Sequence, residues 1–231
     1  MNDRAEPRRS QARWGFRVAV AVVILLALVV AGLAAWQFWW VGRDAASRAG
    51  QAGESYFASC PVVVLPSEQA TASLPAPLPD TAEPPEGTTI GLLTLPGSST
   101  QWPIKAGTDD ANLDAGVGWY SQTSGPGEVG NMAVVGRRLA SGGAFDSILS
   151  LAVGDLLTLE TCSMVYTYTV TVAPADLTVQ PNDVWVLDAV PGQPDAIPSV
   201  SWLTLIANQD VISTNDRAVG FAELTSSTPR V

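Results

Sequence analysis

LTLIANQDVISTNDRAVGFAEL, Leu203–Leu224, holds two apolar runs, one at Leu203–Ile206 and one at Ala218–Leu224, separated by a polar stretch. Short runs rich in Val, Leu, Thr and aromatic residues, bounded by Asn, Asp, Gly and Pro, read as β-strands. The first strand runs into the small pair Ala207-Asn208, and an isolated arginine, Arg217, follows nine residues after Asn208. Strand ends are places where folds present reactive groups, so an asparagine there calls for an explanation.

Working outward, TIGLLTLP, NMAVVG, DLLTLET and VYTYTVTVA repeat the strand pattern from Thr88 onward. In Val165–Val172 apolar residues and tyrosine alternate with threonine, the period of a half-buried strand. Two stretches read as short helices, DDANLDAG (Asp109–Gly116) and AFDSILSLA (Ala144–Ala152). Many short strands with so little helix predict an all-β, closed or nearly closed barrel rather than βαβ units.

Upstream, Val18–Trp36 is an uncharged run of 19 residues, long enough to cross the ~30 Å hydrocarbon core at about 1.5 Å per residue. It ends in Gln37-Phe38-Trp39-Trp40, an interfacial aromatic pattern, with no small-residue cleavage site, so an uncleaved anchor over residues 18–40 is expected. Arg4, Arg8, Arg9, Arg13 and Arg17 precede it and only Arg43 and Arg48 follow closely, which places residues 1–17 in the cytoplasm and the rest outside a plasma membrane. Residues 41–58 are Ala-rich and read as a stalk; residues 61–87 carry seven prolines among Ser, Thr, Ala and Glu and read as an extended spacer. The predicted organisation is therefore a basic tail (1–17), a membrane helix (18–40), a stalk and spacer (41–87) and a β-barrel domain (88–231).

The chain has 12 basic and 22 acidic side chains among 231 residues. From Cys60 onward only Lys105, Arg137, Arg138, Arg217 and Arg230 oppose 18 acids, a net charge of −13. Such a domain has no general basic patch for nucleic acid or anionic lipid. The absence of any histidine removes the usual general base near neutral pH and the commonest metal ligand, so no metal or cofactor is expected. Cys60 and Cys162 both fall on the outer side, where they could form a disulfide or remain two free thiols.

The stretches IGLLTLPG, WPIKAGTDDANLDAGVGWY, GPGEVGNMAVVGRR, GAFDSILSLAVGDLLTLET, VQPNDVWVLDAVPG and LTLIANQDVISTNDRAVGFAEL, in this order, resemble the sortase family and most closely its class E members from actinobacteria. The resemblance covers roughly Thr88–Leu224. It implies an eight-stranded barrel with one or two short helices, membrane anchoring, and the family activity: cysteine transpeptidation that attaches surface proteins to the cell wall. That chemistry takes a thiolate at a strand end as nucleophile, an imidazole for the leaving amine and an arginine for the oxyanion.

Carried across residue by residue, the resemblance puts Asn208 at the cysteine position, Arg137 of Gly136-Arg137-Arg138 at the histidine position, and Arg217 at the arginine position. An amide is no nucleophile at neutral pH, and a guanidinium stays protonated. The resemblance therefore implies a pseudo-enzyme whose partner is a sorting-signal-like peptide, an active sortase or another envelope protein. Two alternatives stand beside it: an active sortase or hydrolase with a non-standard nucleophile such as Cys162, and a purely structural envelope module. Arg137, Arg138 and Arg217 could form a cationic patch suited to a carboxylate. Equally, Arg137 could fold outward and Arg217 pair with Asp216 or Asp210. Lys105 reads as solvated surface, and Asp109-Asp110 as a helix start rather than a pair of catalytic carboxylates. Leu78-Pro79-Asp80-Thr81-Ala82 in the spacer resembles a sorting signal, a match that a Pro- and Thr-rich linker also produces by chance.

Overall fold

Among the described residues nine strands follow one another: β1 (Thr89–Thr94), β2 (Trp102–Ala106), β3 (Val117–Trp119), β4 (Gly130–Gly136), β5 (Leu156–Glu160), β6 (Met164–Val172), β7 (Thr178–Val179), β8 (Ser201–Asn208) and β9 (Arg217–Pro229). In this computed structural model residues 8–61, 84–138, 143–210 and 214–230 are described, with backbone alone for 8–16, 18, 34 and 37–43. The spacer match Leu78–Ala82 lies outside the described residues.

Hydrogen bonding orders the strands β6-β5-β1-β2-β3-β4-β8-β9, and a β6–β9 pairing joins the two ends, so eight strands form a closed ring. The two-residue β7 adds to β9 outside that ring. Closure is the eight-stranded barrel expected above; it leaves no free edge in the ring. Two neighbours are parallel, β2–β3 and β4–β8, and the others antiparallel.

Alternation decides which side chains fill the barrel. Met132 and Val134 of β4 and Leu203, Leu205 and Ala207 of β8 point inward and belong to one buried cluster with Tyr168. Their neighbours Val135, Trp202 and Ile206 point outward into a second cluster with Val219 and Phe221, covered by Val179, Val186 and Trp185. A buried polar network pins that cover: Asn131 Nδ2 donates to the carbonyls of Val186 (2.9 Å) and Asp188 (3.0 Å), and Thr204 Oγ1 donates to Asn131 Oδ1 (2.6 Å). Tyr168 is fully buried; its hydroxyl accepts from the Gly127 amide (3.0 Å) and is hydrogen-bonded to Ser201 Oγ (3.3 Å).

The strand pattern misses β2 because Pro103 interrupts it, and β3 because it is three residues long. Of the two expected helices, α2 (Asp110–Ala115) forms, with Asp109 as N-cap accepting from the Asn112 amide at 2.7 Å. Ala144–Ala152 instead supports only a 3₁₀ turn, Ile148–Ser150. Phe145, Ile148 and Leu151 are all buried at a spacing of three, which suits three residues per turn rather than 3.6.

The chain divides into two compact units, Met1–Arg43 and Asp44–Val231. The helix α1 (Arg8–Ser59) contributes to both. In the first unit Leu25, Leu26, Leu28, Val30 and Leu33 are each more than half exposed. Among the described residues no helix is long and apolar enough to cross a membrane. Of the expected span, Val18, Ala34 and 37–40 are not described beyond the backbone, and the unbroken run Ala19–Leu33 is shorter than the ~20 residues a bilayer core requires.

The second unit begins well before the first strand. Ala45 and Ala49 are buried, Gly53 lets the helix approach Leu92 of β1, and Tyr56 Oη donates to the Ile90 carbonyl (3.1 Å). An added Cβ at Gly53 would sit 3.2 Å from Leu92 Cδ1. The Arg230 guanidinium lies 3.5 Å over the Phe57 ring, and Cys60 is disulfide-bonded to Cys162 across a separation of 102 residues. The Ala-rich stretch expected to carry a helix outward as a short stalk is helical to Ser59, and its small residues form a packing surface.

Two outcomes follow. Replacing both cysteines by alanine is expected to destabilise the outer unit by about 2–4 kcal/mol in denaturant unfolding, since the bond closes a long loop. Burial pushes the Tyr168 phenol above its ordinary range, so it stays neutral when the unfolded chain ionises. Its stabilisation is complete below about pH 10 and declines above it; Tyr168→Phe should flatten that alkaline loss in thermal melts.

Candidate functional site

β4 and β8 run parallel, so their carboxyl ends leave the barrel at the same rim. Their register pairs Val135 with Ile206. β4 ends at Gly136, and Arg138 Nη1 donates to the Asn208 carbonyl, so the Arg137-Arg138 doublet leaves β4 next to the end of β8. Across the antiparallel β8–β9 pair, Asn208 is the direct partner of Arg217. Paired residues share a face; Ala207 points inward, so Asn208 and Arg217 point outward with Ile206 and Val219. Asn208 and Arg217 are thus direct partners, and Arg137 follows β4 at the same rim.

Close packing explains the glycine ahead of the arginines. An added Cβ at Gly136 would lie 2.5 Å from the Phe145 ring, which closes that end of the core. The chain then turns off the sheet, and Arg137 and Arg138 diverge. Arg137 reaches back to α2: Nη2 donates to Asp110 Oδ1 at 2.7 Å, and Nε lies 3.1 Å from Asp114 Oδ1, close enough for an ion pair but without hydrogen-bond geometry. Asp110 and Asp114 are one helical turn apart and face the same cation.

Arg138 turns the other way. Its Nη1 donates to the backbone carbonyls of Asn208 (2.8 Å) and Gln209 (2.5 Å), joining the end of β4 to the end of β8. Arg217 Nη1 donates to the carbonyls of Thr214 and Asp216, both at 3.1 Å. It does not pair with a carboxylate of Asp210 or Asp216: Asp210 accepts from Thr214 Oγ1 (2.9 Å), and Asp216 accepts from Gln180 Nε2. The three arginines are thus gathered at one rim, but not as three equivalent cations.

Asn208 is exposed at the strand end. Nearby, Tyr120 packs on Val135 and Ile206; burial pushes its phenol up, partly opposed by the charge of Arg217. Tyr120 also lines a cavity of about 550 Å³ together with Glu86, Thr108, Trp119 and Ser121. Neither Tyr120 nor the Arg138 bridge was singled out from the sequence; the Arg137-Arg138 doublet was the only signal for the latter.

Cys162 is remote from this corner. Ser163 accepts from the Arg230 amide (2.9 Å) and Met164 pairs with Pro229, whereas Asn208 pairs with Arg217 at the opposite end of β9. That strand has 13 residues, roughly 40 Å if fully extended. The sulfur of Cys162 is moreover committed to Cys60, so it offers no thiolate. Lys105 donates to Thr89 Oγ1 (2.9 Å) on the barrel wall. Among the described residues no group of His, Cys, Asp and Glu could hold a metal ion. The corner supplies hydrogen-bond donors and permanent charge, which is binding chemistry.

The family model for the sortase domain matches residues 93–225, more than half of the chain, and the chain belongs to the sortase family. Sortase E from Streptomyces avermitilis is similar at 29% identity, with 62% of this chain and 92% of that one covered and a TM-score of 0.55. The SrtA sortase from Actinomyces oris is 31% identical over 64% of this chain and 89% of its own, with a TM-score of 0.57. Sortase E1 from Streptomyces coelicolor, solved with a tripeptide in its active site, is 27% identical over 62% of this chain and 92% of its own, with a TM-score of 0.56. No curated protein matches the chain.

Because Arg138, just beyond β4, is the only side chain among the described residues that donates to the carbonyls of Asn208 and Gln209, its loss should loosen the β8–β9 corner alone. Losing charge-assisted bonds of about 1.5–3 kcal/mol in Arg138→Leu is expected to speed amide exchange at Gln209 by roughly 10- to 100-fold. Hydrogen-exchange mass spectrometry should show β1, β5 and β6 unchanged.

Proposed function

We propose that this chain is a membrane-anchored, outward-facing sortase-fold protein that does not transpeptidate and instead binds a sorting-signal-like peptide at the strand corner that presents Asn208. The observation that carries this reading is the direct pairing of Asn208 with Arg217 at the strand end, with Arg137, just beyond the neighbouring strand, locked to Asp110 and Asp114. On this reading Asn208 stands at the nucleophile position and Arg137 at the imidazole position, and neither can attack a carbonyl or accept a proton at neutral pH. The tripeptide held in the active site of the S. coelicolor relative supports peptide as the ligand class.

Anchoring through residues 18–40, with the amino terminus cytoplasmic, is supported by the uncharged run, the five preceding arginines and the exposed leucines of α1. The Cys60–Cys162 bond supports an oxidising, extracytoplasmic setting for the barrel. The same bond argues against a Cys162-dependent enzyme.

A fluorescent sorting-signal peptide incubated with the detergent-solubilised chain and an amine acceptor tests the reading. Binding by anisotropy without product is expected; product formed by the unaltered protein would overturn the inactive assignment, and absence of binding would favour a structural envelope module. In the double variant Asn208→Cys, Arg137→His, measurable turnover is expected, because the corner that positions those residues is intact.

A further inference from the structure

The bond between Cys60 and Cys162 joins two pieces of structure that depend on it unequally. Cys162 lies in the turn between β5 and β6, and that turn closes without the bond. The Thr161 amide donates to the Met164 carbonyl (2.8 Å), the Met164 amide donates to Thr161 Oγ1 (3.1 Å), and the Arg230 amide donates to the Ser163 carbonyl (2.9 Å). Cys60 directly follows α1, whose outer stretch Asp44–Ser59 rests on the barrel through slight contacts. Ala45, Ala49 and Gly53 are small and remove little apolar surface from water. Beyond them, Tyr56 Oη donates to the Ile90 carbonyl and the Arg230 guanidinium covers the Phe57 ring, each a weak interaction. Residues 60–88 separate α1 from β1, so holding the helix in place without the bond costs the closure entropy of a long loop. Both cysteines are only partly buried, within reach of a thiolate while the domain is folded.

We propose that the Cys60–Cys162 bond is a redox latch: a dithiol reductant on the extracytoplasmic side opens it, which frees Asp44–Ser59 from the barrel and leaves the barrel folded. Opening is thiol–disulfide exchange. One thiolate of the reductant attacks a protein sulfur, the Cys60–Cys162 bond breaks, and a mixed disulfide forms. The second thiolate of the reductant then displaces the protein sulfur. The reductant departs as its own disulfide, having supplied two electrons, and Cys60 and Cys162 take up one proton each. With the latch closed, Asp44–Ser59 is spent in a docked helix; with it open, all of 44–88 becomes connecting chain. On the anchoring reading above, the latch therefore sets the length of chain between anchor and barrel. It does so without touching the Asn208 corner, which lies at the opposite end of β9 from Cys162.

The test is hydrogen-exchange mass spectrometry on the full chain in detergent, with and without dithiothreitol and with no denaturant. Reduction should speed exchange over 44–59 by at least ~10-fold, as for a segment that opens apart from the rest of the domain, and leave β4, β6 and β8 unchanged. Reoxidation should reverse it, and tryptic cleavage after Arg48 should rise and fall in parallel. The double variant Cys60→Ser, Cys162→Ser should exchange fast over 44–59 without reductant and respond no further to it. A bond that dithiothreitol opens only after denaturant is added overturns the latch. Unchanged exchange over 44–59 once two free thiols are counted overturns it too, since the helix then stays docked without the bond. Acceleration spread over the barrel strands overturns it in the other direction, making the bond a staple of the whole fold. The comparison of oxidised and reduced states uses the unaltered protein, so it does not depend on the variant folding, and none of these outcomes bears on peptide binding.

Discussion

The parallel pairing of β4 with β8 is the constraint from which the site follows. Parallel neighbours cannot be joined by a hairpin, so about 60 residues, including β5, β6 and β7, intervene between two strands whose carboxyl ends nonetheless lie side by side. β8 lies between β4 and β9, which fixes its register from both sides, and the β6–β9 pairing closes the ring. A slip of one residue would turn Leu203, Leu205 and Ala207 outward and bury Asn208. The cost of exposing those apolar side chains is what holds an asparagine at the rim.

The electrostatics of the rim depend on the same geometry. Arg137 and Arg138 are consecutive but leave β4 in different directions, one to the carboxylates of α2 and one to the carbonyls that end β8. One charge is cancelled and the other is only solvated. The distinction matters because a cation already paired with two carboxylates has little to gain from a third, whereas one held by dipoles keeps most of its attraction for an anion.

Much of this was legible in the sequence where side chains alternate in or out of a core. β8 and β9 could be placed because leucine, valine and phenylalanine recur in short runs, and Asn208 and Arg217 then fell at their facing ends. β2 was hidden by Pro103, and the Phe145–Leu151 turn by a period of three that resembles a helix over so few residues. The docking of Asp44–Ser59 was hidden for a different reason. Ala45, Ala49 and Gly53 are small, and small residues serve a loose stalk and a close helix-to-sheet contact alike. Only the partner surface, Ile90 and Leu92 on β1, distinguishes the two. The directions of Arg137 and Arg138 could not be read either, since their partners lie 27 and 70 residues away.

Placing arginine at position 137 has a structural consequence that a neutral imidazole would not impose. A guanidinium at a partly buried strand end must be compensated, and here Asp110 and Asp114 do so from one face of a six-residue helix. That helix is held in turn by Asp109 at its amino end and by Asn112, whose Nδ2 donates to the Ala106 carbonyl of β2 at 3.1 Å. The end of β4 is thereby tied to β2 through α2, and the end of β8 is tied to β4 through Arg138.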